Sequence, residues 1–281
     1  MPTRLDILRE SEARLAGVDS PRLSAQLLMA EVLGCSTAAV YLDRDREVAP
    51  DQAARIAELV ARRAGGEPVA YILGRREFYG LEFEVAPAVL IPRPETEHIV
   101  ERVETLFARE SAFHFADLGT GSGILAVTIA TLFPHAKAVA MDLSEPALEV
   151  ARRNAARHGV ADRIRFVRGD FTRPLPHGPY DLIVTNPPYV TEREMAEASP
   201  EVTAFEPASA LVSGEDGLDH VRAMLGPVLD ALRPGGALLM EVGWRHGEPI
   251  KKIMSRDFPE IGPVSIIRDL AGYDRVVFLR K

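Results

Sequence analysis

Asn186-Pro187-Pro188-Tyr189 is the stretch of this 281-residue chain whose residue types speak most directly of chemistry. It follows Tyr180-Asp181-Leu182-Ile183-Val184-Thr185, an apolar, β-branched run that reads as a buried strand. An Asn followed by two prolines makes a rigid turn that cannot continue the ladder, because neither proline has an N–H to donate. The turn presents one amide side chain and one or two unpaired backbone carbonyls. Acceptors of that kind suit an –NH2 group held by its hydrogens, with its nitrogen lone pair directed elsewhere. The same residues also serve to end an ordinary strand, so the turn alone leaves both readings open.

Asp117-Leu118-Gly119-Thr120-Gly121-Ser122-Gly123 is the second candidate. Glycines at alternate positions let the backbone pass close to a ligand, and the helix that follows offers free N–H groups. A dinucleotide fingerprint requires glycine at 124, where Ile124 stands. With an acidic residue before it, the turn suits an adenosyl ligand lacking a pyrophosphate; a tight turn with no ligand is the alternative. Asp142 ends the next strand about 20 residues on, where a carboxylate grips the two hydroxyls of a ribose. It can also cap the helix at Ser144-Glu145-Pro146, although Ser144 can do that and leave Asp142 free. Gly169-Asp170-Phe171 follows a third strand. Asp170 there can accept from an adenine amino group with Phe171 as a wall, or be a loop Asp beside a core Phe.

These residues need a frame of strands and helices to bring them together. Residues 1–66 read as a helical unit. Ser20-Pro21 opens a helix with Leu23, Leu27, Leu28 and Val32 on one stripe and Gly34 at its end. Pro50-Asp51 opens another, with Ile56, Leu59 and Val60 on one face, closed by Gly65-Gly66. An extended segment, Val69 to Ile91, follows; alternation at Leu81, Phe83 and Val85 predicts a hairpin, so 67–94 reads as a linker. From residue 95 to 281 helices and strands alternate: helix 96–108, strand 113–118, helix 124–133, strand 138–143, helix 146–158, strand 164–167 and strand 180–185. Helix 218–232, strand 237–242, helix 248–254 and two terminal strands complete the pattern. Met195 to Phe205 reads as a loop beside the site. Such alternation implies βαβ units, an α/β fold and a parallel sheet that binds ligands at its carboxyl ends.

Composition narrows the function further. The chain is 47% hydrophobic and 26% charged, with a net charge of -8. A general nucleic-acid binder needs a basic face and is disfavoured. Cys35 is the single cysteine, which excludes a disulfide framework and fits a reducing cytoplasm. The seven histidines are scattered without ligand spacing, so no metal is expected. Acidic residues Asp6, Glu10 and Glu12 argue against a transit peptide, and no run approaches the roughly 20 apolar residues of a membrane span.

Three carboxylates at consecutive strand ends, with the Asn-Pro-Pro-Tyr turn on a fourth, resemble the class I S-adenosylmethionine-dependent methyltransferases. Within them the chain resembles the protein-(glutamine-N5) methyltransferases of the HemK/PrmC type. The resemblance runs through Glu67 to Gly74, Glu77-Phe78-Tyr79-Gly80, Leu90-Ile91-Pro92-Arg93-Pro94-Glu95-Thr96-Glu97, Glu206-Pro207, Gly214 to Leu218 and Glu241-Val242-Gly243. Phe171 departs from it, since some relatives carry Trp there. The resemblance implies a Rossmann-like, mostly parallel sheet with helices on both faces and a small helical N-terminal domain joined by a β-hairpin. It implies S-adenosylmethionine as cofactor and S-adenosylhomocysteine as product. Asp117, Gly119, Thr120, Gly121, Ser122, Gly123, Asp142, Asp170, Phe171 and Asn186 would bind the cofactor. Asn186, Pro187, Pro188 and Tyr189 would hold the substrate, with Asn186, Pro187 and Tyr189 serving catalysis. The implied substrate is the glutamine of the Gly-Gly-Gln motif in peptide chain release factors, met by a cytoplasmic monomer.

An amide nitrogen is a poor nucleophile because its lone pair is delocalised into the carbonyl. Accepting both of its hydrogens at Asn186 and the Pro187 carbonyl favours sp3 character in the transition state. Arg93 and Glu97 are either a surface ion pair, worth little, or part of the segment that closes the cofactor site. The rival readings are a glutamine methyltransferase of a ribosomal protein, a DNA adenine methyltransferase and a non-catalytic binding protein. A DNA enzyme would need a basic surface for base flipping.

Overall fold

A computed structural model describes residues 1–281. Its helices are α1 (Arg4–Arg14), α2 (Pro21–Leu33), α3 (Thr37–Leu42), α4 (Pro50–Ala64), α5 (Val69–Leu73), α6 (Glu97–Leu106), α7 (Ile124–Leu132), α8 (Glu145–Arg157), α9 (Glu192–Glu197), α10 (Pro200–Phe205), α11 (Asp219–Ala231) and α12 (Gly247–Asp257). Its strands are β1 (Arg75–Phe78), β2 (Leu81–Glu84), β3 (His114–Leu118), β4 (Lys137–Asp142), β5 (Ile164–Arg168), β6 (Tyr180–Thr185), β7 (Leu232–Glu241), β8 (Ser265–Arg268) and β9 (Asp274–Arg280). The chain divides into two compact units. One comprises Met1–Arg75 with Ser199–Phe205, the other Arg76–Ala198 with Glu206–Lys281.

The first unit is helical. Thr3 and Asp6 form a capping box on α1, and Leu8, Leu15, Leu28, Met29, Val40, Ile56 and Val60 make the core. Arg63, only 3% exposed, pairs with Glu201 at 2.8 Å and donates to the Asp19 and Glu67 carbonyls. Three sequence expectations are corrected here. Ser20 starts α2 with φ at +51° and no side-chain cap; only its carbonyl enters the ladder, accepting from Ser24 N. Val69–Leu73 is helical rather than extended. Pro68 sets its entry, Gly74 at φ +70° ends it, and burial of Ala70 and Tyr71 outweighs the weak helix preference of its β-branched residues. Residues 195–205 are not a loop. A capping box between Thr191 and Glu194 starts α9, and α10 joins the helical unit through Glu201 and through Phe205 beside Gly66.

The second unit is built on seven strands in the order β5-β4-β3-β6-β7-β9-β8. The first five are mutually parallel, and β9 runs antiparallel to both β7 and β8. Side chains alternate faithfully between the faces. Phe115, Ala140, Val184 and Leu239 pack with Ile99 and Val103 of α6 and Ile129 of α7. Ala116, Met141, Ile183 and Met240 pack on the other face with Val221 and Leu225 of α11 and Ile250 of α12. Burial on both faces is why these strands read as continuous apolar runs. The chain moves outward from β3 to β4 and β5, then crosses back to β6, leaving a switch point between β3 and β6. Crevices at carboxyl ends beside such a point are where open α/β sheets hold ligands.

Candidate active site

The carboxyl ends of β3, β4, β5 and β6 border one cavity of about 660 Å³, lined entirely by residues of the sheet unit. Asp117, Gly119, Thr120, Gly121, Ser122, Asp142, Asp170, Phe171, Asn186 and Pro188 all line it. Gly123, Pro187 and Tyr189 are not among its lining residues. Arg93, Thr96 and His220 line it as well, and of these only Arg93 was singled out from the sequence.

The turn after β3 is shaped by its glycines, with φ of +70° at Gly119, +55° at Gly121 and +84° at Gly123. At Gly123 a Cβ would sit 3.1 Å from that of Ala151, so this glycine lets the turn pack on α8. Asp117 is 1% exposed, and its Oδ2 accepts from Thr120 Oγ1 at 2.6 Å and Ala126 N at 3.0 Å. Burial pushes its carboxyl up to about 7 against those hydrogen bonds.

Asp142 is less free than the sequence suggested. Ser144 does cap α8, its hydroxyl accepting from Ala147 N. Asp142 nevertheless accepts from Gly121 N through Oδ2 and from Ser144 N through Oδ1, both at 2.9 Å. Each oxygen keeps a further lone pair for a ligand. Burial raises its carboxyl, opposed by those N–H groups.

Asp170 forms an Asx turn, taking the Thr172 hydroxyl at 2.6 Å and its N–H at 2.9 Å, which hold the carboxyl below its ordinary range. Phe171 stands 3.5 Å from the Cβ position of Gly119 and 6.0 Å, centroid to centroid, from His220. The His220 ring lies 2.9 Å from the Ser213 hydroxyl, which also accepts from the His220 N–H.

The Asn-Pro-Pro-Tyr turn is tied to two residues that the sequence reading gave no role. Asn186 Nδ2 donates to Thr96 Oγ1 at 3.1 Å, and that hydroxyl donates to Glu241 Oε2 at 2.6 Å. The Tyr189 hydroxyl donates to Glu241 Oε1 at 3.3 Å. Asn154 is a third such residue. Fully buried on α8, it donates from Nδ2 to the Ser122 and Glu84 carbonyls and accepts from Glu84 N, binding the glycine turn to the β1–β2 hairpin. Arg93 and Glu97 do not pair. Arg93 meets the buried Glu206 at 2.6 Å, and Glu97 accepts from Tyr79 N at 2.9 Å.

Known proteins place this arrangement. A family model described as "Methyltransferase small domain" matches residues 96–214, and one described as "PrmC N-terminal domain" matches residues 6–74. A solved methyltransferase from Pyrococcus furiosus superposes with a TM-score of 0.53 at 20% identity, over 80% of this chain and 98% of that one. The hMettl16 catalytic domain, solved in complex with a MAT2A 3'UTR hairpin, superposes at 0.59 with 18% identity, over 79% and 81%. The sheet unit thus has the class I methyltransferase fold. A release factor glutamine methyltransferase from Nitratidesulfovibrio vulgaris is 46% identical over 98% of this chain and 94% of its own length. The chain belongs to the release factor glutamine methyltransferase family and is a methyltransferase. No helix is long and apolar enough to cross a membrane.

Proposed function

We propose that the chain transfers a methyl group from S-adenosylmethionine to the side-chain amide nitrogen of the glutamine in the Gly-Gly-Gln motif of peptide chain release factors, leaving S-adenosylhomocysteine. The observation that carries this reading is the juxtaposition across one strand pair. The glycine turn follows β3 and the Asn-Pro-Pro-Tyr turn follows its neighbour β6, with Leu118 level with Thr185, so both reach one cavity.

The residues fit that cofactor. Asp142 has lone pairs left for ribose hydroxyls, Asp170 for an adenine amino group, and Phe171 offers a wall to the ring. Asp117 and the turn from Gly119 to Gly123 suit the cationic amino-acid end. When bound, the sulfonium supplies an electrophilic methyl carbon. Asn186 Oδ1 and the Pro187 carbonyl take the two amide hydrogens and so aim the nitrogen lone pair. With the cofactor bound, the methyl carbon would pass to that nitrogen as the C–S bond gave its electron pair to sulfur. Alkylation makes the remaining N–H acidic, and the surplus proton passes to water without a strong base. Tyr189 packs against the flat carboxamide. Alignment of nitrogen, methyl and sulfur supplies much of the acceleration.

The helical unit is assigned to recognition of the protein substrate. One carboxamide offers too few contacts for specificity. The test is incubation of the chain with labelled S-adenosylmethionine and purified release factors or ribosomal proteins, followed by mass mapping. Label on the Gly-Gly-Gln glutamine supports the assignment, and label elsewhere replaces it.

A further inference from the structure

Glu241 is a buried acid that the transfer just described does not use. It is 1% exposed, at the end of β7. The ladder ends with Thr185 level with Met240, so Asn186, the first residue after β6, and Glu241, the last of β7, follow that pair on neighbouring segments. Thr96, fully buried just before α6, is hydrogen-bonded to both.

The hydrogen bonds leave little choice of orientation. A threonine hydroxyl has one proton, and a carboxylate only accepts. The Thr96 proton is therefore committed to Glu241, at 2.6 Å, and only a lone pair faces Asn186. Asn186 must turn Nδ2 toward it, at 3.1 Å. A reversed amide would set Oδ1 against that lone pair. Glu241's other oxygen accepts the Tyr189 hydroxyl.

We propose that Glu241 is a positioning residue: through Thr96 it holds the Asn186 amide in the one orientation that frees Oδ1 for the substrate, and through its second oxygen it holds Tyr189 of the same turn. This rests on the reading that Asn186 Oδ1 takes an amide hydrogen in the transfer. Protonation of Glu241 undoes the arrangement. A neutral acid can donate to Thr96, whose own proton is then free to draw Oδ1 of Asn186 inward. Burial brings that protonation up to about 7. Glu95 reinforces it, while Thr96, Tyr189 and Arg275 oppose it.

The test is steady-state kinetics at saturating cofactor with the full chain and an intact release factor. Thr96→Val removes the relay with little change of volume and should lower kcat about ten- to a hundred-fold, with cofactor affinity kept. Thr96→Ser should restore kcat. Glu241→Leu should lower kcat likewise. Glu241→Gln can still accept from Thr96 and should recover part of that loss. It should also lose the fall in kcat expected of the parent as pH drops through about 7. If Thr96→Val and Glu241→Leu keep full kcat and the acid limb while Asn186→Ala is inactive, the positioning role is overturned. If Asn186→Ala itself keeps kcat, the functional reading fails first. Should Thr96→Val fold poorly, the pH profile of Glu241→Gln decides alone.

Discussion

The backbone N–H of Gly121 donates to Asp142 Oδ2 at 2.9 Å, so the carboxylate proposed for the ribose also holds the glycine turn in place. Asp142→Ala should therefore weaken S-adenosylmethionine binding twice over, by losing ligand bonds and by loosening the turn. Charge-assisted bonds are worth roughly 1.5–3 kcal/mol each, or at least about ten-fold in affinity. Asp142→Asn, which keeps one acceptor oxygen, should fall between the two. Calorimetric titration giving the parent affinity for Asp142→Ala would remove this residue from the ribose site.

Asn186→Ala should abolish most turnover while leaving cofactor affinity within a few-fold of the parent. In the structure its side chain makes a single hydrogen bond, to Thr96, so folding should survive its loss. Removal of an interaction made mainly in the transition state lowers kcat and kcat/KM together. Near-normal kcat would reduce the turn to a strand terminator.

The residues legible in the sequence are those whose role is local. Leu182, Ile183 and Val184 announce a strand buried on both faces, and the glycines of 119–123 announce a turn. Asp142, Asp170 and Asn186 follow because a parallel sheet presents its carboxyl ends together. Thr96 and Glu241 are 145 residues apart, and Glu84 and Asn154 are 70 apart. Each pair is a long-range hydrogen bond with no periodic or turn signal, so the sequence does not show that its two residues meet. Short elements were obscured for a related reason. At α5 and α10 packing overrides weak local preference.

Asp117 gives the pH dependence a sign. Its carboxyl titrates near 7 when folded and near 4 when unfolded, so the folded chain keeps a proton that the unfolded chain has lost. This group's contribution to stability falls as pH rises between about 4 and 7. Glu241 acts in the same direction. The groups held below their ordinary range, such as Asp170 and Glu84, act the opposite way in more acid solution. The melting temperature should decline from pH 5 to pH 8, and less steeply for Asp117→Asn. A cationic ligand beside Asp117 favours its ionised form, so S-adenosylmethionine should bind with proton release near pH 7. Titration in two buffers of different ionisation heat measures that release. Equal heats would place the cation away from Asp117.

Asn154→Ala should be among the most damaging single changes that touch no ligand. It strands the Glu84 N–H and the Ser122 and Glu84 carbonyls, at about 1–3 kcal/mol for each group left unsatisfied. Asn154→Asp keeps the acceptor for Glu84 N and should cost less. Thermal denaturation showing a shift of only a degree or two for Asn154→Ala would mean that water replaces the amide.

The helical unit has its own core and contributes none of the residues that line the cavity. If it serves recognition, an intact release factor should be methylated much faster than a short Gly-Gly-Gln peptide, with the difference mainly in KM. Deleting the unit is a poor test, because Ser199–Phe205 packs with it and would lose Arg63 as the partner of Glu201. Surface changes are cleaner. Leu23, Tyr41 and Leu42 are 53%, 44% and 78% exposed, with Arg22 and Arg44 over the Tyr41 ring. A Leu42→Glu, Tyr41→Glu double variant should raise KM for the intact factor and leave the peptide rate unchanged. Equal rates on factor and peptide for the parent chain would withdraw the recognition role from the helical unit. Label appearing in double-stranded DNA would hand the site to the adenine rival.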